Sequence, residues 1–217
     1  MICISLIDLS FAECLKIRKE AAMIEVRMDK LTLQDREYKN LFETKIKTIA
    51  TCRPYNRSEK ECLTLLEKAI RYGADYIDIE IESSIEYKNY IIQIAKQHNV
   101  KIIISYHNYS DTPTNDLDNI ISESIKEGAD IVKIATKVNN PKQAAALLGL
   151  YSKYDNIVVI GMGSKGVITR VSSLLLGAPF TFASVDNKHK SAPGQLPYKT
   201  MNIIYGLIKN KTVVENE

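Results

Sequence analysis

The sequence predicts an α/β protein folded as a closed, parallel (β/α)8 barrel, and three observations carry that prediction. Short apolar segments of β type alternate with longer stretches of helical period along the 217 residues, as a repeated βα unit requires. Gly-Ala-Asp occurs at 73–75 and again at 128–130, each time between a helical stretch and a strand, where glycine ends a helix. Charged residues recur at alternate positions near the ends of consecutive strands, the end at which such a barrel carries its chemistry.

The first strand, 2–7, is apolar, has no basic leader and runs straight into Asp8 and Glu13, so it reads as a strand and not as a signal peptide. The second, 23–28, sends Glu25, Arg27 and Asp29 to one face and turns Val26 and Met28 toward the helices. The third, 47–52, brings Thr51 and Arg53 together at its end, and the fourth, 76–81, alternates Asp78, Glu80 and Glu82 with Ile77, Ile79 and Ile81. The fifth, 101–106, closes on Ser105 and His107, which share a face. The sixth, 130–135, is apolar except for Lys133, which shares a face with Ile131 and Ala135. The seventh, 156–160, runs into the glycine-rich 161–166, and the eighth, 180–184, is followed by a long loop, 185–197.

Amphipathic stretches at 10–21, 33–45, 58–72, 84–98, 115–127, 141–154, 165–176 and 197–209 supply the helices between them. Eight units in about 210 residues point to a closed barrel. A doubly wound open sheet would show the same alternation with fewer strands and is the competing architecture. No linker or composition shift divides the chain, so one domain over 1–217 is expected.

Composition narrows the function classes. A net charge of +3 with no Lys/Arg stripe and no Trp argues against nucleic acid as a partner. No apolar run approaches the ~18 residues of a membrane span. Four cysteines without CxxC spacing and only three histidines fit reduced thiols in the cytoplasm better than a metal site.

The chemistry gathers at the strand ends. Lys133 lies in an apolar strand with no evident carboxylate neighbour in sequence, so burial is expected to favour its free amine, a Schiff-base nucleophile. A ring of Glu, Arg, Asp and Lys in a barrel lumen is a poor way to stabilise a core and a reasonable way to hold a polyhydroxylated ligand. Each residue also has a structural reading: a histidine bonded at a strand end, a lysine snorkelling outward, an arginine paired with a nearby carboxylate. The glycines at 161–166 read as a tight βα turn more than as a phosphate cradle, because Arg170 offers a more specific anion partner. The loop 185–197, with Ser191 and Gln195, suits a lid over a ligand.

The ordered set Glu25-Val26-Arg27-Met28-Asp29, Thr51-Cys52-Arg53, Tyr76-Ile77-Asp78-Ile79-Glu80, Ser105-Tyr106-His107-Asn108, Asp130-Ile131-Val132-Lys133-Ile134-Ala135, Met162-Gly163 through Val167-Ile168-Thr169-Arg170, and Ser191-Ala192-Pro193-Gly194-Gln195 resembles the type I 3-dehydroquinate dehydratases over nearly the whole chain. The resemblance implies a TIM barrel, commonly dimeric, that dehydrates 3-dehydroquinate in the shikimate pathway without metal or cofactor. It also implies that Lys133 forms the imine and His107 is the acid/base. Glu25, Arg27 and Arg53 would hold ring hydroxyls; Arg170, Ser191 and Gln195 would hold the carboxylate. Met162 would form an apolar wall, and Asp78 would support the arginines.

Two departures stand out. Arg57-Ser58 occupies the place where the family commonly has a Glu followed by glycines. Met1 abuts the first strand where members often carry a hairpin under the barrel, so the floor is expected to be covered otherwise or left open. A class I aldolase, which uses a barrel lysine in the same way, is the nearest rival and needs a phosphate grip that only 161–166 could offer. A non-catalytic binding barrel would keep the ligand contacts while losing Lys133 or His107.

Overall fold

A computed structural model describes residues 1–55 and 57–214; the last three residues of the expected domain, 215–217, lie outside the described residues. The strands are β1 (Ile2–Leu6), β2 (Met23–Arg27), β3 (Lys47–Thr51), β4 (Tyr76–Glu80), β5 (Lys101–Asn108), β6 (Ile131–Lys137), β7 (Ile157–Met162) and β8 (Thr181–Ser184). All their ladders are parallel, in the order β7-β6-β5-β4-β3-β2-β1-β8. Among the described residues no ladder joins β7 to β8, so the barrel is nearly closed, with its seam there. The outer layer holds α1 (Phe11–Glu20), α2 (Asp35–Phe42), α3 (Glu59–Arg71), α4 (Ile85–Gln97), α5 (Leu117–Lys126), α6 (Pro141–Gly149), α7 (Val167–Ser172) and α8 (Tyr198–Val214).

Local chemistry sets these boundaries. Ser10 with Glu13 and Ser58 with Glu61 form capping boxes that start α1 and α3, satisfying backbone N–H groups that a helix start leaves unpaired. Asn140 caps α6 ahead of Pro141, whose fixed φ suits a first helical position. Gly73 and Gly128 follow α3 and α5 at φ of 90° and 102°, the left-handed turn expected of the two Gly-Ala-Asp repeats.

Several predicted elements differ in extent. β5 and β6 run two residues further than the hydrophobic pattern indicates, because the ladder continues through His107↔Ala135 and Asn108↔Thr136. The predicted helix 165–176 is instead a 3-10 turn (Ser164–Gly166), the short α7 and a second 3-10 turn (Ser173–Leu176). The glycines of 161–166 serve packing, as expected: a Cβ on Gly161 would meet Val138 Cγ2 at 2.8 Å and Gly166 Cα at 2.9 Å.

The apolar side chains fill two regions. Val26, Met28, Ile77, Ile79, Ile102 and Ile104 pack outward against helix residues such as Leu66 and Ile91. Inside the lower lumen, Cys3, Met23, Ile49, Ile103, Ile131, Val158, Phe180 and Phe182 form a separate cluster. Tyr76, at the start of β4, meets Phe180 edge to face with centroids 5.9 Å apart, so side chains of the barrel itself fill its floor. The charged residues are left above this plug, at the carboxyl ends of the strands.

Candidate active site

Nine of the ten residues singled out in the sequence line one cleft at that end: Glu25, Arg27, Arg53, His107, Lys133, Met162, Arg170, Ser191 and Gln195. Asp78, the tenth, lies beneath it and bonds Lys133. Strand register explains the convergence. Ser105 pairs with Lys133 and His107 with Ala135, so the histidine stands one pleat above the lysine on the neighbouring strand, and both face inward.

Lys133 is 5% exposed, with Nζ 2.8 Å from Asp78 Oδ2 and 4.6 Å from the centroid of Phe182. This corrects the expectation of a lysine buried without a carboxylate: Asp78 is remote in sequence but adjacent in the lumen. Asp78 also accepts from Arg53 Nη2 at 2.8 Å and from Ser105 Oγ at 2.5 Å. Burial works against its charge, but Arg53 and then Lys133 outweigh it and hold the carboxyl well below the usual carboxylate range. Asp78 therefore supports one arginine and the lysine; Arg27 is held by Asp29 at 2.9 and 2.7 Å.

Arg53 spans two carboxylates. Its Nη1 sits 2.8 Å from Glu80 Oε1, a close ion pair without hydrogen-bond alignment. Burial opposes its charge, and Asp78 and Glu80 more than restore it. Glu80 in turn holds His107 Nδ1 at 2.9 Å. With Nδ1–H donated to Glu80, Nε2 keeps its lone pair. Burial, then the Arg53 charge, push His107 below the ordinary histidine value against the opposing pull of Glu80, so its neutral form is favoured.

Arg170 differs from the other cations. It is 1% exposed, its Nε and Nη2 are buried without a hydrogen-bond partner, and burial lowers its pKa to about 10. A buried guanidinium with unused donors facing a cleft is an anion site. Opposite, Gln195 is 1% exposed; its Oε1 accepts from Ser191 N and Oγ at 2.7 and 2.9 Å. The 185–197 segment is tied across the mouth by Gly163 N donating to Pro193 O and Ser184 N to Leu196 O. Glu25 accepts from Thr51 Oγ1 at 2.9 Å.

Glu82, expected on the inward face with Asp78 and Glu80, is exposed, because β4 ends at Glu80. Other residues of the site were not singled out as such. Glu80 orients His107, a role readable from the inward faces of β4 and β5 once those strands are neighbours. Phe182 shares the inward phase of Phe180, and Tyr109 lies nearly parallel to the His107 ring, at 15° with centroids 6.1 Å apart. Tyr55 and Tyr109 rim the cleft from loops that carry no periodic signal. Among the described residues no His/Cys/Asp/Glu group of three or more is arranged to hold a metal ion.

Known proteins resemble this chain over nearly its whole length. A 3-dehydroquinate dehydratase of Methanococcus maripaludis strain C5 is 36% identical over 224 residues, covering 96% of this chain and all of that one. The crystal structure of the 3-dehydroquinate dehydratase from Aquifex aeolicus superposes with a TM-score of 0.82 at 30% identity, covering 94% of this chain and 96% of that one. The type I enzyme of Clostridium difficile, solved with covalent modified comenic acid, gives a TM-score of 0.83 at 26% identity, over 97% and 92% of the two chains. A 3-hexulose-6-phosphate synthase of Salmonella typhimurium, at 17% identity and a TM-score of 0.60, shares the barrel fold alone. The family model for type I 3-dehydroquinase matches residues 2–212, and the chain belongs to that family.

Proposed function

We propose that this protein dehydrates 3-dehydroquinate to 3-dehydroshikimate in the shikimate pathway, as a cofactor-independent hydro-lyase working through an imine on Lys133. The observation that carries the reading is the juxtaposition of a buried lysine with a histidine kept neutral on the next strand, facing a cleft that holds an unpartnered arginine.

The substrate is a cyclic β-hydroxy ketone with a carboxylate. Lys133, as free amine, adds to the ketone; the carbinolamine takes up one proton and loses water to give an iminium, a stronger electron sink than the ketone. His107 Nε2 takes the proton next to that carbon, with Glu80 fixing the tautomer. The resulting enamine expels the β-hydroxyl, to which His107 returns the proton, and water leaves. Hydrolysis of the iminium releases the conjugated enone and restores the lysine. Arg170, with Ser191 and Gln195, holds the carboxylate; Glu25, Arg27 and Arg53 hold hydroxyls; Met162 forms an apolar wall; Asp78 pairs Lys133 and Arg53. Fixing both ends of the ring keeps the reacting atoms in register.

The reading extends to the chain as one catalytic domain over 1–217, with 185–197 acting as a lid, in a cytoplasmic homodimer. Apolar side chains exposed on α8 and beside α7, Ile203, Leu207, Leu175 and Leu176, support a covered face, and sedimentation would measure it. No helix among the described residues is long and apolar enough to cross a membrane.

Borohydride added with 3-dehydroquinate is expected to fix one ligand mass on the wild-type protein at Lys133, and none on Lys133→Ala. His107→Ala is expected to trap the imine yet turn over at about 10²–10⁴-fold lower rate. Equal trapping in Lys133→Ala, or undiminished enone absorbance in His107→Ala, would overturn the assignment.

A further inference from the structure

Away from the cleft, the most concentrated unused chemistry is a pair of thiols. Cys52 follows the last residue of β3 and directly precedes Arg53, and Cys62 lies at the end of the first turn of α3. Their sulfurs are 3.0 Å apart, with Cys52 donating to Cys62, and both residues are free thiols in the core. A disulfide bond is about 2.05 Å long, so only about 1 Å of approach separates this contact from a covalent one. Cys3 and Cys14 are also free and buried but make no sulfur contact among the described residues.

A second feature points the same way. Arg57, the residue standing where the family commonly has Glu, buries its Nε without a hydrogen-bond partner; its charge favours the thiolate at both sulfurs, where Asp29 opposes it more strongly. The two thiols are also unequal. The hydrogen bond from Cys52 lowers the Cys62 pKa against the opposing effect of burial, while the same bond, then burial, raise Cys52. A thiolate is the reactive form of cysteine, and Cys62, the sulfur that accepts the hydrogen bond, is assigned as the attacking one, with the donor Cys52 as the resolving one.

We propose that Cys52 and Cys62 are a peroxide-oxidisable dithiol whose disulfide staples the end of β3 to the first turn of α3. The Cys62 thiolate attacks one oxygen of a hydroperoxide; the O–O bond breaks, and the leaving oxygen takes a proton, which for hydrogen peroxide gives water. The Cys52 sulfur then attacks the Cys62 sulfenic sulfur, the S–O bond breaks, and the departing hydroxide takes the Cys52 proton as a second water. Two thiols lose two electrons and two protons, and one peroxide is reduced. A thiol reductant returns the pair by exchange. With exposures of 2% and 0%, the sulfurs exclude a bulky protein disulfide and leave a small hydroperoxide as the oxidant to test. The staple closes the turn that carries Arg53 and Tyr55 at the cleft.

The test treats the reduced full-length protein with hydrogen peroxide, blocks remaining thiols with N-ethylmaleimide and maps peptides without reduction. The expected product is a Cys52–Cys62 cross-linked pair two hydrogens lighter than its reduced peptides, lost on addition of dithiothreitol. In Cys52→Ser, Cys62 is expected to stop at sulfenic acid and give a dimedone adduct. Alkylation of both sulfurs after peroxide, over-oxidation without a cross-link, or links to Cys3, Cys14 or a second copy would overturn the proposal. The wild-type map decides alone if the variant fails to fold.

Discussion

Replacing Arg170 by methionine is expected to stabilise the ligand-free protein while removing its grip on the substrate. The guanidinium is 1% exposed, two of its nitrogens have no partner, and burial brings its pKa to about 10. That is roughly 2.5 decades below the ordinary arginine value, which at about 1.4 kcal/mol per decade amounts to about 3 kcal/mol. The unfolded chain holds this proton more tightly than the folded one, so the penalty is complete at pH 7, below both values. It is relieved only as pH rises from about 10 toward the unfolded value.

Methionine keeps most of the aliphatic volume and carries no charge, so most of that cost disappears, as when buried ions give way to apolar groups. At roughly 2 °C per kcal/mol for a chain of this size, the melting temperature should rise by about 6 °C. The same variant loses a charge-assisted contact of about 1.5–3 kcal/mol to the carboxylate, so KM should rise about 10- to 100-fold. Urea and thermal unfolding read the first effect, and enone absorbance against substrate concentration reads the second. A variant that melts below wild type with KM unchanged would show that the cation is not uncompensated and that the carboxylate binds elsewhere.

Three further outcomes follow from the same network. Burial and Arg53 hold His107 below the ordinary value, so the acid limb of kcat/KM should fall below about pH 6.5; a limb above it would contradict a neutral base. Because the folded value is depressed, stability from this group is present at higher pH and is lost as pH falls from about 6.5 toward the folded value. Glu80→Gln removes the group that raises His107, and should move the limb to still lower pH. Asp78→Asn leaves Lys133 and Arg53 without a shared partner, and should cost about 3–5 kcal/mol in urea unfolding; a loss below about 1 kcal/mol would mean the pairs contribute little.

Much of this site could be read from period alone. Glu25 and Arg27, Asp78 and Glu80, Ser105 and His107, and Ile131, Lys133 and Ala135 each share a strand face two residues apart, and an eight-stranded parallel barrel turns those faces inward together. What period could not supply was the partner of Lys133. Asp78 is 55 positions away, and only the strand order, with β5 alone between β4 and β6, and the curvature of the barrel wall bring the two within reach. The same limit hid the orientation of His107 by Glu80. Tyr55 and Tyr109 lie in loops, where no repeat predicts direction. Alternation holds only as far as Glu80, where the strand stops, and Glu82 just beyond it is exposed.

The Asp78–Lys133 pair bears directly on the proposed chemistry. A carboxylate lies 2.8 Å from the Lys133 nitrogen, and only the free amine can attack a ketone. Yet the iminium formed on condensation carries the same positive charge at the same nitrogen. In the proposed cycle Asp78 therefore faces a cation before the attack and again once the iminium has formed. Lys133 offers it no charge only while the amine is free or bonded as the neutral carbinolamine, and Arg53 at 2.8 Å and the Ser105 hydroxyl hold its charge through that interval. A carboxylate that stabilises the iminium as it stabilises the ammonium lowers the end of the condensation step along with its start. On this argument Ser105→Ala, which removes one of the two supports left to Asp78, should slow imine formation in rapid-quench borohydride trapping more than it changes KM. Equal trapping rates in the two proteins would place the control of that step outside the Asp78 network.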